Sequence, residues 1–291
     1  MRFLITGVSG VVGRNLYELI RQNKAFEVYG TGRSKLSLEN YIQMDLTDEI
    51  SLSEVFATHQ FDTIIHCAAM ISNEPTFEVY RNNVSSTLNI VQASLNTNVK
   101  KIFYISSISI IGKILQSPIT ELHKVAPLST YAFSKYKCEE LIEHFCDKKI
   151  KFLNVRIPSP VGKYMPLRSV FPIFLDRITN NLDVTLTGDA GRKMSFLDLR
   201  DLGDFISLAS ENVEASGLFN VGAKTSHSNH ELAQTMIAKT ESKSKVIDLT
   251  DSDSVSISDW RLCCAKIKSV FDYEPRYSLE ETIEWILGEK I

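Results

Sequence analysis

The chain has 291 residues, 44% of them apolar, enough to bury one large core or two coupled ones, which excludes a disordered chain. Its formal charge of -3 arises from 32 basic and 35 acidic residues that are well mixed, so nucleic acid and anionic membrane surfaces are not expected partners and a small molecule is. Five cysteines, Cys67, Cys138, Cys146, Cys263 and Cys264, are odd in number and lack C-x-x-C spacing, which argues against a disulfide framework or zinc site and for reduced thiols in the cytoplasm.

The apolar start reads as a strand from Arg2 to Thr6, not as a secretory signal, because glycines interrupt it and Arg14, Asn15 and Glu18 follow with no small-x-small cleavage site. No apolar stretch approaches the ~20 residues that cross a bilayer. Thr6-Gly-Val-Ser-Gly-Val-Val-Gly13 then leads into a helix near Gly13 to Arg21. Gly7, Gly10 and Gly13 suit a tight turn, close backbone approach to phosphate and close helix packing, with the helix N-terminus facing a pyrophosphate. The spacing is G-x-x-G-x-x-G, and a glycine-rich turn without a ligand is the bland alternative.

A second strand spans Glu27 to Gly30 and runs on to Gly32 and Arg33. An acid that would hold ribose hydroxyls is missing at Gly32, and Arg33 suits a 2′-phosphate, so NADP is favoured over NAD, unless Arg33 is simply a surface arginine. Asp45 and Asp48, after the third strand, either accept from an adenine amino group or cap the helix expected over Ile50 to Thr58. A strand from Thr63 to Cys67, a helix from Asn82 to Asn96 and a strand from Lys101 to Ser106 follow. The hydroxyls of Ser106, Ser107 and Ser109 lie beyond that strand's carboxyl edge.

The helix from Thr130 to Cys146 carries Tyr131 and Lys135 four residues apart, hence on one face. An ammonium beside a phenol stabilises the phenolate and lowers its pKa from ~10, which makes it useful in proton transfer. After a strand from Lys151 to Arg156, prolines at 158, 160, 166 and 172 and shorter segments mark a change of texture, and a helix closes the chain near Leu279 to Leu287. The order is that of an α/β, doubly wound parallel sheet with a smaller lobe built from the C-terminal half. Of six histidines only His227 and His230 are close, without matching acids, so no metal site is expected.

Together, Thr6 to Gly13, Asp45-Leu46, His66-Cys-Ala-Ala69, Asn82 to Thr87, Ser106-Ser107, Tyr131 with Lys135, Arg156 to Gly162 and Phe219 to Gly222 resemble the extended short-chain dehydrogenase/reductase superfamily, its NAD(P)-dependent nucleotide-sugar epimerases, dehydratases and reductases. The resemblance implies a Rossmann-type domain over 1–158 that also receives about 195–222, and an interleaved substrate lobe over 159–194 and 223–291. It implies that Ser107 positions a sugar oxygen, Tyr131 is the acid/base, and Lys135 binds nicotinamide ribose and depresses the tyrosine pKa. Further cofactor contacts are expected at Ser9, Val11, Val12, Leu46, Cys67, Ala68, Ala69 and Pro158. Asn83 is a contact or a structural asparagine with equal reason.

Departures narrow the reaction. Where 4,6-dehydratases carry Thr-Asp-Glu, this chain has Ser107-Ile108-Ser109, without the carboxylate that elimination needs. Ile111 stands in place of a tyrosine and Ser159 in place of an asparagine, and Met194-Ser195-Phe196 lacks an arginine for the diphosphate. Arg168, Arg192 or Arg261 would substitute, with Met70, Ser109 and Ser159 near the sugar. The expected function is a 4-epimerase or 4-keto reductase of a nucleotide-activated sugar, in a homodimer paired through the helices Asn82 to Asn96 and Thr130 to Cys146. A reductase of a small non-sugar ketone and a catalytically inactive cofactor-binding sensor or scaffold are the alternatives.

Overall fold

The computed structural model describes residues 1–72, 74–146, 148–189, 192–249 and 258–288; the parts of the expected lobes at 73, 147, 190–191, 250–257 and 289–291 lie outside the described residues. The first half supplies strands β1 (Arg2–Thr6), β2 (Glu27–Gly32), β3 (Tyr41–Gln43), β4 (Thr63–His66), β5 (Lys101–Ser107) and β6 (Lys151–Ile157). Helices α1 (Val11–Ile20), α2 (Glu49–His59), α3 (Phe77–Leu95) and α4 (Thr130–Cys146) fill the connections. There follow β7 (Ser159–Val161), α5 (Val170–Thr179), β8 (Val184–Leu186), β9 (Lys193–Met194), β10 (Phe196–Asp198), α6 (Leu199–Glu211) and β11 (Gly217–Asn220). Helices α7 (Asn229–Thr240), α8 (Ala265–Phe271) and α9 (Leu279–Leu287) complete the chain.

Seven strands pair in the order β11-β6-β5-β4-β1-β2-β3, each neighbour parallel. Helices cover both faces, so the central strands are apolar on both sides: Phe3, Ile5, Phe103 and Leu153 pack against α1 and α6 through Leu16, Tyr17, Phe205 and Ile206. On the other face Leu4, Ile64, Ile102 and Tyr104 meet Phe56, Ile90 and Ile142. Burial of each such large side chain is worth roughly 1.5–3 kcal/mol. A separate core joins Phe171, Phe174, Val184, Leu232, Met236 and Ile283 of α5, β8, α7 and α9.

Strand order reverses between β1 and β4, and a crevice opens there beyond the carboxyl ends. The sequence reading gives no bounds for two strands of the sheet. β3 is three residues long and partly exposed, and β11 returns to the sheet from the C-terminal half to pair with β6. Helix α3 starts five residues before the expected Asn82, because the Thr76 hydroxyl accepts the Val79 N–H at 3.4 Å and caps it there.

Beneath the crevice, Arg156 of β6 and Glu139 of α4 form a bidentate pair, Nε to Oε1 at 3.1 Å and Nη2 to Oε2 at 2.8 Å, with both side chains buried. This pair ties the helix that carries Tyr131 and Lys135 to the sheet.

Candidate active site

The glycine turn is built by close approach. Gly7 has φ +72°, and a Cβ on it would sit 2.7 Å from the Ala68 Cα. A Cβ on Gly13 would lie 2.4 Å from the Gly7 carbonyl oxygen, so helix α1 packs directly on the turn. We expect Gly13→Ala to displace that carbonyl and to weaken cofactor binding by about ten- to a hundredfold, the scale of 1–3 kcal/mol of overpacking, with the far-UV circular dichroism retained. Calorimetric titration with NAD and NADP checks this; unchanged affinity for both would remove the turn from the site.

Behind the turn lies a chain of buried polar groups. The Thr6 hydroxyl accepts the N–H groups of Cys67 and Ala68 at 3.1 and 3.0 Å, so its own proton goes to His66 Nδ1 at 2.8 Å. His66 Nε2 therefore carries the ring proton and donates to Thr87 Oγ1 at 3.0 Å. Burial keeps the ring neutral, its pKa pushed down to about 3, with the nearby Lys135 charge acting in the same direction. This network fixes the segment after β4 against β1 and α3.

The crevice is a cleft of about 470 Å³. It brings together Gly7, Ser9, Gly10, Val11, Val12 and Gly13 at one end and Ser107, Tyr131 and Lys135 at the other. Arg33, Asp45 and Leu46 line it beside Gly32, and Cys67, Ala68, Ala69 and Met70 form one wall. Pro158, Ser159 and Arg168 lie on the opposite side. The two aspartates separate: Asp48 caps α2, accepting the Ser51 N–H at 3.2 Å, whereas Asp45 reaches the cleft and is steadied by the Thr47 N–H at 2.9 Å.

Asn83, Ser109, Arg192 and Arg261 are not among the residues that line the cleft. The Asn83 amide accepts the Met70 N–H at 2.7 Å and donates to the Met70 carbonyl at 3.0 Å and to Ser134 at 2.9 Å, so it holds the cleft wall from behind. Ser109 turns away on the 3-10 turn Ile108–Ile111, its N–H donating to Ser107 Oγ at 3.1 Å. Arg192 lies over the Trp260 ring at 5.6 Å, and Arg261 sits 3.5 Å from Asp259.

Several lining residues have no site role in the sequence reading, although Asn82, Ser86 and Ser106 fall in segments that carry the family resemblance. Asn82 and Ser86, one helical turn apart on α3, share a face toward the cleft, a spacing that the helix period alone supplies. Met165, Pro166 and Ser169 come from the proline-rich segment after β7, where neither period nor motif marks them. Ser106 is buried and lines the cleft, and its Oγ has no hydrogen-bond partner within the chain.

At the far end of the cleft the Tyr131 phenol lies beside the Ser107 hydroxyl. Burial pushes Tyr131 up to about 12, against a lowering by Ser107. This corrects the expected depression by Lys135. The lysine lies on the same helix face, but its ammonium turns back to donate to the Ile105 carbonyl at 2.6 Å and to lie 4.5 Å above the Tyr104 ring. Burial holds Lys135 itself down at about 8.

That depression has a stability consequence. Between about pH 8 and the ordinary lysine value of 10.5, the unfolded chain binds a proton at residue 135 that the native chain does not, so this group makes stability rise with pH across that window. Lys135→Met removes the term and is expected to stabilise the ligand-free fold at pH 7 by a few kcal/mol, a gain that vanishes above pH 10.5. Urea unfolding of both proteins across that range measures the difference, and equal midpoints at pH 7 would refute it.

The cleft is shaped for a dinucleotide by the glycine cradle and the unpartnered Ser106 hydroxyl. Residues 3–222 match the model of the NAD dependent epimerase/dehydratase family. The chain belongs to that family. Similarity to curated family members extends over the whole chain: 26% identity to the UDP-glucose 4-epimerase of Halalkalibacterium halodurans, over 98% of this chain and 94% of that one. Identity is 23% to the dTDP-4-dehydro-6-deoxyglucose reductase of Escherichia coli, over 98% of this chain and 96% of that one. In fold it is similar to the crystal structure of UDP-glucuronic acid 4-epimerase from Bacillus cereus in complex with UDP-glucuronic acid and NAD, with a TM-score of 0.85, 20% identity and coverage of 99% and 98%. Among the described residues no helix is long and apolar enough to cross a membrane, and no group of three or more histidine, cysteine or acidic side chains is placed to hold a metal.

Proposed function

We propose that the protein is an NAD(P)-dependent enzyme on a nucleotide-activated sugar, and that it reduces a 4-keto group. The observation that carries this reading is the Tyr131 phenol, beside Ser107 and kept protonated by burial, at the end of the cleft that the glycine turn opens. A phenol that stays protonated at neutral pH is a proton donor, as reduction of a ketone requires. The bound nicotinamide supplies or accepts hydride at its C4. Tyr131 gives its proton to the carbonyl oxygen, and Ser107 holds that oxygen by a hydrogen bond. With the cofactor bound, Lys135 would hold nicotinamide ribose, Gly7 to Gly13 would hold the pyrophosphate, and Asp45 and Leu46 would serve the adenine. Arg168, with Met70 and Ser159, faces the nucleotide sugar. No carboxylate stands at Ser107-Ile108-Ser109 to drive elimination.

Arg33 at the open end of β2, with Gly32 in place of an acid, supports NADP. Arg33→Ala is expected to lower NADP affinity about tenfold or more and to leave NAD affinity nearly unchanged, the loss of one charge-assisted phosphate contact. Equal losses for the two cofactors would contradict the preference. The full-length similarity to a UDP-glucose 4-epimerase favours a second reading, epimerisation with the cofactor retained.

We read the Rossmann domain as 1–158 with about 195–222, and the sugar lobe as the remainder. A homodimer through α3 and α4 is supported by the exposed Phe77, Leu88, Phe133 and Phe145 on those helices, and residence in the cytoplasm by the five free thiols. The deciding experiment offers the purified chain a 4-keto nucleotide sugar with NADPH, and UDP-glucose with NAD. Oxidation of NADPH in step with sugar reduction supports the reductase. UDP-galactose formed without net cofactor turnover supports the epimerase, and turnover of a free ketone alone overturns both.

A further inference from the structure

The sheet has a second, chemically distinct end. At the amino edges of β1, β4, β5 and β6, on the side away from the cofactor cleft, lies a cavity of about 700 Å³. Five lysines line it, Lys100, Lys101, Lys148, Lys149 and Lys151, and among the described residues Asp62 is the one acid that does so. That concentration of positive charge stands out in a chain whose formal charge is -3.

The lysines have different duties. Lys101 is almost fully buried and donates to the Ala209 carbonyl at 2.7 Å and to that of Asn212, so it caps the C-terminal end of α6. Burial and the nearby charge of Lys151 pull its pKa down to about 8. A second cation is therefore felt at the floor of the cavity. At the rim Lys100 lies 3.4 Å from Asp62 and Lys151 lies 3.3 Å from Glu214, both exposed pairs of small net value. No carboxylate among the described residues pairs with Lys148 or Lys149. The apolar side chains of Val99, Ile150 and Val213 wall the space, which lowers the local dielectric and strengthens the attraction for an anion.

We propose that this cavity is an oligophosphate-binding site, separate from the cofactor cleft. Lysine ammonium groups bind phosphate as point charges without demanding one geometry. The volume falls within the range of small-molecule sites, roughly 300–1,000 Å³, and several cations spread around it suit a chain of phosphates better than a single one. The same chemistry could come from a free oligophosphate or from phosphate headgroups in a bilayer. Recession of Lys101 below the rim favours the free molecule.

The test uses inorganic tripolyphosphate and the full-length protein. Calorimetric titration at low salt should show saturable binding that weakens as salt rises, in proportion to the charges neutralised. The double substitution Lys148→Glu with Lys149→Glu, at two exposed positions, should reduce affinity at least tenfold while NADP affinity and circular dichroism stay unchanged. Arg168→Ala, in the cofactor cleft, should leave tripolyphosphate binding as it was. Absence of binding to the native protein, binding that survives the double charge reversal, or binding lost in Arg168→Ala would each overturn the site. Sedimentation with phosphatidylglycerol vesicles, in a protein that ignores tripolyphosphate, would do so in favour of a membrane surface.

Discussion

Tyr131→Phe is expected to lower kcat by roughly 10²–10⁴-fold, the usual worth of a positioned proton donor, with the cofactor affinity changed by no more than about threefold. The phenol lines the cleft beside Ser107, so its oxygen is lost to the reaction without loss of a structural bond elsewhere. The pH dependence follows from burial. With Tyr131 near 12, the donor form is complete from neutral to mildly alkaline pH, and the reductive kcat is flat there. The reverse oxidation needs the phenolate, whose fraction climbs about tenfold per pH unit below the pKa, so oxidative kcat rises steeply across the same range. Initial rates in both directions check this. An oxidative rate already flat at neutral pH, or full activity in the phenylalanine variant, would remove Tyr131 from the proton step.

The second large effect is structural. Glu139→Ala leaves the Arg156 guanidinium buried without its carboxylate and is expected to cost about 3–5 kcal/mol, read as a lower urea midpoint. Glu139→Leu combined with Arg156→Met replaces both charges by apolar groups of similar size and should recover most of that loss. A double variant no better than the single one would show that the remaining contacts of Arg156, such as its 3.4 Å bond to the Glu121 carbonyl, matter more than the pair. Because Glu139 is one helical turn beyond Lys135, the single variant also tests how firmly α4 is held beneath the cleft.

The strands of the sheet interior were legible because a strand buried on both faces carries a continuous apolar run, as Ile64-Ile65 and Ile102 to Ile105 do. The strands at the sheet edges were not: Tyr41–Gln43 is short and half solvated, and Gly217–Asn220 owes its place to pairing with β6 rather than to its own pattern. The glycine turn was legible for a different reason. Gly7 and Gly13 answer a local steric demand, a left-handed φ at one and a backbone contact at the other, and no other residue meets it.

By itself, then, the sequence determined the α/β order, the glycine turn and the placing of Tyr131 and Lys135 on one helical face, since each depends on near neighbours in the chain. Tertiary structure alone decided what those groups do to one another. It turned the Lys135 ammonium toward Ile105, raised Tyr131 by burial, sent Asn83 behind the wall and Arg192 and Arg261 outside the cleft, and gathered five lysines at the opposite edge of the sheet. Burial, side-chain direction and the pairing of distant strands depend on residues far apart in sequence, and no spacing rule encodes them.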